Sequence, residues 1–291
     1  MHRGLLLLLL GVLGLLAGCS DDEGESPPLP VAPVEVTVLR VPADYPTLQT
    51  AIDSADIGDT VLVASGVYRG DGNRDLHLDG KNLVIMSEHG PKVTVIDCEG
   101  DTANLHGGIV FSGQDSTTVL FGFTITGART SQGAAIRCDP RSSPRISYCV
   151  LADNVATVSG GAIRCKGGTT KPHFINCTIV RNAAPVGGGL FLIAGASPVL
   201  ENCIVAFSLK GEAVDINDNT CEPVLSCCNL FGNSSGDWID DLAHQRDHYG
   251  NLCADPLFVD TANANYVPYG QSPCAPANNS CGVLVGALEA L

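Results

Sequence analysis

Apolar residues recur through the middle of the chain with a period of 25 to 28 residues. Five copies of the repeat begin at Thr118, Pro144, Pro172, Pro198 and Pro223. Each copy holds three inward positions that are apolar or cysteine. The second and third are two residues apart, as alternation along a strand requires, whereas the first and second are three apart. The repeat therefore predicts two short strands joined by a one-residue corner, occupied in two copies by Asn176 and Asn202, because Asn tolerates a left-handed backbone.

The three inward positions form columns when the copies are aligned. They are Leu120, Ile146, Phe174, Leu200 and Leu225; Phe123, Cys149, Cys177, Cys203 and Cys228; and Ile125, Leu151, Ile179, Val205 and Leu230. A second repeated segment begins with a glycine turn, and each turn leads into a third strand. These turns lie at Gly133, Gly160, Gly187 and Gly211. Three short strands per repeat leave no room for a crossover helix. Successive repeats must therefore stack, which buries the columns at a rise of about 4.8 Å per rung.

This pattern resembles the right-handed parallel β-helix proteins of the pectate-lyase-like superfamily, over residues 41 to 291. The segment from Val41 to Tyr68 is similar to their opening, and Pro46 would begin a short helix that caps the core. That helix would bury Leu48, Ala51, Ile52 and Ala55. The expected fold is all-β, a right-handed parallel β-helix solenoid with an N-terminal capping helix. We expect the β-helix and cap over residues 36–233 and the closing rungs over 234–291.

The N-terminus has the features of an export signal. Arg3 precedes an apolar run, and the tetrad Leu-Ala-Gly-Cys19 resembles the lipobox of bacterial lipoproteins. The resemblance implies that residues 1–18 are removed and that acylated Cys19 anchors the protein to a membrane. An ordinary signal peptide that ends near a cysteine is the alternative. Residues 19–35, acidic and rich in proline, would be a tether. We therefore expect an exported, membrane-anchored lipoprotein at the outer membrane or cell surface, and a monomer.

Charge narrows the choice of partners. The formal net charge is −15, which excludes nucleic acid as a favoured partner. We expect no cofactor, and Ca²⁺ is the one ion that the acidic surface leaves open. The stretch from Asp215 to Asn219 is similar to the start of a Ca²⁺ loop, but Ser226 stands where a bidentate Glu is needed.

The cysteines allow two interpretations. Four of them share the second inward column, where Cys acts as a small buried apolar residue, and disulfides are also permitted in an exported domain. Cys274 and Cys281, seven residues apart, form the best disulfide candidate. No CxxC pair or spaced His accompanies the cysteines, so we expect no metal site.

Candidate chemistry lies in the outward positions of the third strand. Arg137 and Arg164 fall on adjacent rungs, and Asp215 falls two rungs further. Polysaccharide lyases of the resembled superfamily use Ca²⁺-binding carboxylates beside a basic residue, and this row lacks a cluster of acids. Arg137, Arg164 and Asp215 are therefore catalytic candidates only for an atypical site.

Two functions remain open. The first is a non-catalytic binding, adhesion or structural module, with a polysaccharide or cell-surface glycan as its partner. The second is a carbohydrate-active enzyme, either a polysaccharide lyase or a glycoside hydrolase. Aromatic residues are only 5% of the chain, which argues against strong sugar stacking.

Overall fold

The computed structural model describes residues 36–291, which form one compact unit. The predicted signal peptide, Cys19 and the tether lie outside the described residues. No helix within residues 36–291 is long and apolar enough to cross a bilayer.

Three parallel sheets run along the molecule, and each complete turn of the chain adds one strand to each sheet. Sheet A contains Val38–Val41, Thr60–Val63, Val84–Ser87, Val119–Phe121, Arg145–Ser147, His173–Ile175, Val199–Glu201 and Val224–Ser226. Sheet B contains Gly66–Tyr68, Thr94–Asp97, Thr124–Thr126, Val150–Ala152, Thr178–Val180, Ile204–Ala206 and Asn229–Phe231. Sheet C contains Leu76–His77, Ile109–Phe111, Ile136–Cys138, Ile163–Lys166, Leu190–Ile193 and Val214–Ile216. The protein is thus a parallel β-helix, as the repeat predicts.

Each predicted column is a straight stack inside the solenoid. Ile146 pairs in register with Leu120 on one side and with Phe174 on the other, and all fifteen predicted column residues are at most 1% exposed. The register is fixed because a slip by one residue would turn every inward side chain outward. The four predicted cysteines lie in this core as free, fully buried thiols. The packed-column interpretation is therefore confirmed.

The predicted one-residue corner joins sheet A to sheet B. Asn176 and Asn202 have φ values of 48° and 55°, and Tyr148 and Cys227 occupy the same left-handed position on their own rungs. A second left-handed corner, which the repeat pattern did not reveal, follows sheet B. There Asp153, Arg181 and Phe207 have φ values between 55° and 56°.

Buried asparagines stabilise this second corner. Asn154 Nδ2 donates to the carbonyl of Ile125 at 3.0 Å and to Asn182 Oδ1 at 3.0 Å, and Asn182 Nδ2 donates to the carbonyl of Leu151 at 2.8 Å. Asn154 and Asn182 are at most 1% exposed. Their amides satisfy the backbone groups that the sharp turn leaves unpaired.

A helix from Leu48 to Ser54 covers the N-terminal end of the core, as predicted. Leu48, Ala51 and Ile52 face the core and are buried. The helix begins two residues later than predicted because Thr47, rather than Pro46, sets its start. The Thr47 side chain accepts from the Thr50 amide at 3.3 Å, while Thr50 Oγ1 accepts from the Thr47 amide at 3.2 Å, which is a capping box.

The C-terminal end of the core is closed by a 3₁₀ helix and a tryptophan. The 3₁₀ helix spans Asp240–Gln245, and Gln245 Oε1 accepts from the Leu225 amide at 2.8 Å. Trp238 is 6% exposed, and its Nε1 donates to the carbonyl of Leu252 at 2.9 Å.

Residues 253–291, which we call the closing segment, do not simply extend the stack. The segment contains 3₁₀ helices at Thr261–Asn263 and Pro276–Asn278, and an antiparallel C-terminal hairpin of Phe258–Asp260 and Asn265–Pro268. It packs on the outer face of sheet B, where Val150, Ala152, Val180, Ile204 and Ala206 are buried. Asn176 Nδ2 donates to the carbonyl of Leu284 at 2.6 Å, and the Ala287 amide donates to Thr178 Oγ1 at 3.0 Å. Sheet B is therefore covered on both faces from Val150 to Ala206, whereas its first strand presents the exposed Val67.

The closing segment also corrects the predicted disulfide. Cys281 is bonded to Cys227, with 6.1 Å between their Cα atoms, and Cys274 is a free, buried thiol. The pairing of Cys274 with Cys281 is therefore wrong. The physical reason is the path of the closing segment. It carries Cys281 to the corner at Cys227, whereas Cys274, in the same segment, is buried against Asn229 of sheet B.

Candidate functional site

The outward side chains of sheet C lie at the foot of a wall. The wall is a two-stranded parallel side sheet of Arg129–Gln132 and Val155–Ser159, and single bridges extend it to Ala183, Val186 and Lys210. We call the surface between this wall and sheet C the sheet C groove. It contains a cavity of about 120 Å³, lined among others by Asp75, Thr130, Gln132 and Arg137. The groove runs along the stacking direction of the rungs.

The backbone at Gly160 lies close to that of Ile163, and this close approach keeps the wall against sheet C. Gly160 has a left-handed φ of 67°, and a Cβ there would collide with the carbonyl of Ile163. The glycine series predicted these turns, and the structure shows that they also bring the wall next to the outward side chains.

The structure brings Arg137 and Arg164 together. Their strands pair in register, and both side chains bind one carboxylate: Arg137 Nε lies 3.1 Å from Asp139 Oδ2 and Arg164 Nη1 lies 3.2 Å from Asp139 Oδ1. The Arg137 side chain is 43% exposed, whereas that of Arg164 is only 11% exposed. Asp139 thus fixes two guanidinium groups on neighbouring rungs. Arg137 is the one that reaches solvent in the groove.

Two donors beside this pair lack partners. Arg164 Nε and Thr130 Oγ1 are buried and have no hydrogen-bond partner within residues 36–291. Buried polar groups are normally hydrogen-bonded, so these two atoms are polar groups that the described residues leave unsatisfied.

Asp215 does not join the two arginines. Phe191 stands between Arg164 and Asp215 on the intervening strand. Burial and, to a smaller extent, the carboxylates of Glu212 and Asp240 raise the pKa of Asp215. Asp215 therefore belongs to an acidic end of the groove, apart from its arginine-rich middle.

The repeat pattern missed one pair at the other end of the groove. His106 Nδ1 lies 2.6 Å from Asp75 Oδ2, and Asp75 Oδ1 accepts from the Gly107 amide at 2.6 Å. Asp75 lines the groove cavity together with Arg137. The signal that could have found this pair is the sequence Gly107-Gly108-Ile109, because it is an earlier copy of the glycine series and places His106 beside sheet C.

The suggested Ca²⁺ loop has a different role in the structure. Asp218 accepts hydrogen bonds from the amides of Thr220 and Ala194, and the bond from the Thr220 hydroxyl is the main cause of its lowered pKa. The carboxylate thereby fixes a turn. In the part of the chain that the structure describes, no group of three or more His, Cys, Asp or Glu side chains is arranged to hold a metal ion.

Comparison with known proteins bears on the fold alone. Residues 79–205 match the family model described as the right handed beta helix region. No curated protein matches the chain. The matched residues lie within the stacked rungs of sheets A, B and C, whose strands run from Val38 to Phe231. The chain is therefore an all-β protein whose repeat domain is a right-handed parallel β-helix.

Proposed function

We propose that the protein is a non-catalytic binding module of the cell envelope, anchored through Cys19, which holds a polysaccharide or cell-surface glycan along the sheet C groove. The observation that carries this proposal is the pair of guanidinium groups that Asp139 fixes on neighbouring rungs. The groove gives a linear chain a surface along which it can lie.

The chemistry of the groove suits hydroxyl-rich ligands. A guanidinium group offers five N–H donors and no acceptor, and Gln132 adds both an acceptor and donors. Because Asp139 already orients Arg137, little side-chain freedom is lost when a ligand binds. Asp75 supplies a carboxylate that accepts hydrogen bonds from hydroxyl groups.

The test is retention of the full chain, in detergent, on immobilised neutral and uronate polysaccharides. We expect Arg137→Gln to weaken retention at least about tenfold, the equivalent of one hydrogen bond to a charged group. Arg145→Gln is the matched control, because Arg145 is exposed on sheet A, away from the groove. Equal retention of the wild-type chain and Arg137→Gln would refute the groove as the binding surface.

One observation favours the alternative, a carbohydrate-active enzyme. The contact between Asp75 and His106 is the geometry in which a carboxylate orients an imidazole for proton transfer. The same polysaccharides, analysed for shortened products with and without Ca²⁺, separate the two functions. Product formation that is lost in His106→Gln would establish the enzyme, whereas retention without product supports the binding module.

A further inference from the structure

A separate cavity lies between the second corner and the C-terminal hairpin. Its volume is about 390 Å³, within the usual range of ligand pockets. The side chains that matter for its chemistry are Arg181, Phe207, Asp255, Phe258, Thr261 and Tyr269. They come from two rungs of the solenoid and from the closing segment, so this cavity exists only because the closing segment folds back onto sheet B.

Arg181 is held rigidly at the edge of this cavity. Its Nε donates to Asp153 Oδ1 at 2.9 Å, and the Tyr266 hydroxyl donates to Asp153 Oδ2 at 2.6 Å. The hydrogen bond to Asp153 is the main cause of the raised pKa of Arg181. A contact with the Tyr266 hydroxyl raises that pKa further, and apart from it the two terminal nitrogens have no hydrogen-bond partner within residues 36–291. They are donors that a ligand in the cavity can use.

Aromatic rings form the apolar part of the cavity. Phe207 and Phe258 meet edge to face, with 6.2 Å between their ring centres, and Phe207 also contacts Phe231 at 5.8 Å. Tyr269 is 42% exposed, so one of the aromatic rings that line this cavity faces solvent. Aromatic residues are only 5% of the chain, yet the fold gathers Phe207, Phe231, Phe258, Tyr266 and Tyr269 here. The low overall aromatic content therefore does not describe this part of the surface.

The local charge decides between a neutral and an anionic ligand. Asp153 already balances the charge of Arg181. Asp255 lines the same cavity, and its Oδ1 accepts from the Leu257 amide at 2.8 Å, which leaves Oδ2 as an acceptor. A carboxylate or phosphate in the cavity would meet this unbalanced negative charge. A neutral polyol would not, and its hydroxyl groups can both donate to Asp255 and accept from Arg181.

We propose that this cavity binds one pyranose ring of a neutral sugar. The sugar ring would pack against the aromatic side chains of the cavity, and its hydroxyl groups would form hydrogen bonds with Arg181 and Asp255. A sugar ring has an apolar face of C–H groups and also hydroxyl groups at its edge. The aromatic side chains of the cavity suit the apolar face, and the donors of Arg181 and the acceptor of Asp255 suit the hydroxyl groups. The site shares no residue with the sheet C groove, so it stands or fails independently of the proposed function.

Ligand-observed saturation-transfer NMR on the full chain tests the proposal. The probes are methyl glucopyranoside, methyl mannopyranoside and methyl galactopyranoside at millimolar concentration, with glucuronate as the charged counterpart. We expect transfer to at least one neutral pyranoside, and weaker binding of glucuronate. Tyr269→Ala and Arg181→Gln should each weaken the binding about tenfold. The folded state of each variant is checked by its thermal unfolding midpoint.

Two variants serve as controls. Tyr249→Ala removes another exposed tyrosine, which lines a different cavity beside the 3₁₀ helix Asp240–Gln245, and should leave pyranoside binding unchanged. Arg145→Gln removes an exposed arginine of sheet A, which belongs to neither site, and should also leave pyranoside binding unchanged. The proposal is overturned if no neutral pyranoside receives saturation transfer, if glucuronate binds more tightly than all three, or if a folded Tyr269→Ala variant binds as the wild-type chain does.

Discussion

Cys227 and Cys281 form a disulfide that spans 54 residues of sequence and joins a corner of the solenoid to the closing segment. Cys227 has the left-handed backbone of the corner between sheets A and B, with φ of 51°. The bond therefore fastens the end of the chain to its last regular rung.

Replacement of both cysteines, in a Cys227→Ser and Cys281→Ser double variant, should lower the free energy of unfolding by about 2–4 kcal/mol. The reason is that the unfolded chain regains the freedom of a long loop. Calorimetric thermal unfolding measures the effect, and a reductant should destabilise the wild-type chain but not the double variant. Cys253→Ser, which removes a free and half-buried thiol, is the control. An unchanged unfolding midpoint in the double variant would contradict the pairing.

Alkaline pH should destabilise the protein through its buried thiols. Burial, and then the charges of Asp75 and Asp97, raise the pKa of Cys98 from 9.0 to about 12. The unfolded chain therefore loses this proton first, so stability falls as pH rises from about 9 towards 12. Between pH 8 and pH 10 we expect Cys98 alone to lower the free energy of unfolding by about 1.4 kcal/mol. Urea unfolding of the wild-type chain and of Cys98→Ala over this range should show a shallower decline for the variant, and parallel declines would refute the assignment.

Loss of one corner asparagine should be costly. Asn182→Ala removes the acceptor for the Asn154 amide, at 2.9 Å, and the donor to the Leu151 carbonyl. Both groups are buried, and each unsatisfied one costs about 1–3 kcal/mol. We expect the free energy of urea unfolding to fall by about 2–4 kcal/mol. Asn104→Ala, at an exposed turn, should change it by less than about 0.5 kcal/mol.

The proposed membrane anchor is tested by metabolic labelling with palmitate. Cys19→Ser should abolish the label and release the protein into the soluble fraction, because a thioether-linked lipid can no longer form and each buried CH₂ contributes about 0.8 kcal/mol to anchoring. Cys253→Ser should keep both the label and the membrane fraction. Labelling that persists in Cys19→Ser would refute the anchor.

The repeated part of the fold could be predicted from the sequence because every rung has the same spacing of inward residues. Leu120, Ile146 and Phe174 occupy equivalent places, and the parity break before Cys177 and Cys203 predicts a left-handed corner at the residue before each. The prediction needed only local alternation and one period. It therefore identified the core and the proximity of Arg137 to Arg164, whereas the capping helix was predicted from the resemblance of residues 41–68 to the opening of other β-helix proteins.

The rest depended on contacts that do not repeat. The partner of Cys281 is set by the path of the closing segment, and no periodicity describes that path. Asp139 follows the strand that carries Arg137, but only the stacking of rungs shows that it also binds Arg164. The cavity at Arg181 combines Phe207 with Tyr269, residues that meet only after the chain returns to sheet B.

The closing segment also constrains the number of rungs in the C-terminal part of the solenoid. A stack of independent rungs can gain or lose one by duplication or deletion, since each rung contacts only its neighbours. Here one segment is bonded to Asp153, Asn176, Asn202 and Cys227, which lie on four successive rungs. A rung inserted among them would move the attachment points on its two sides about 4.8 Å further apart and would break at least one of the four bonds. The segment thus fixes the number of turns between Asp153 and Cys227, while the rungs before them are not held in this way.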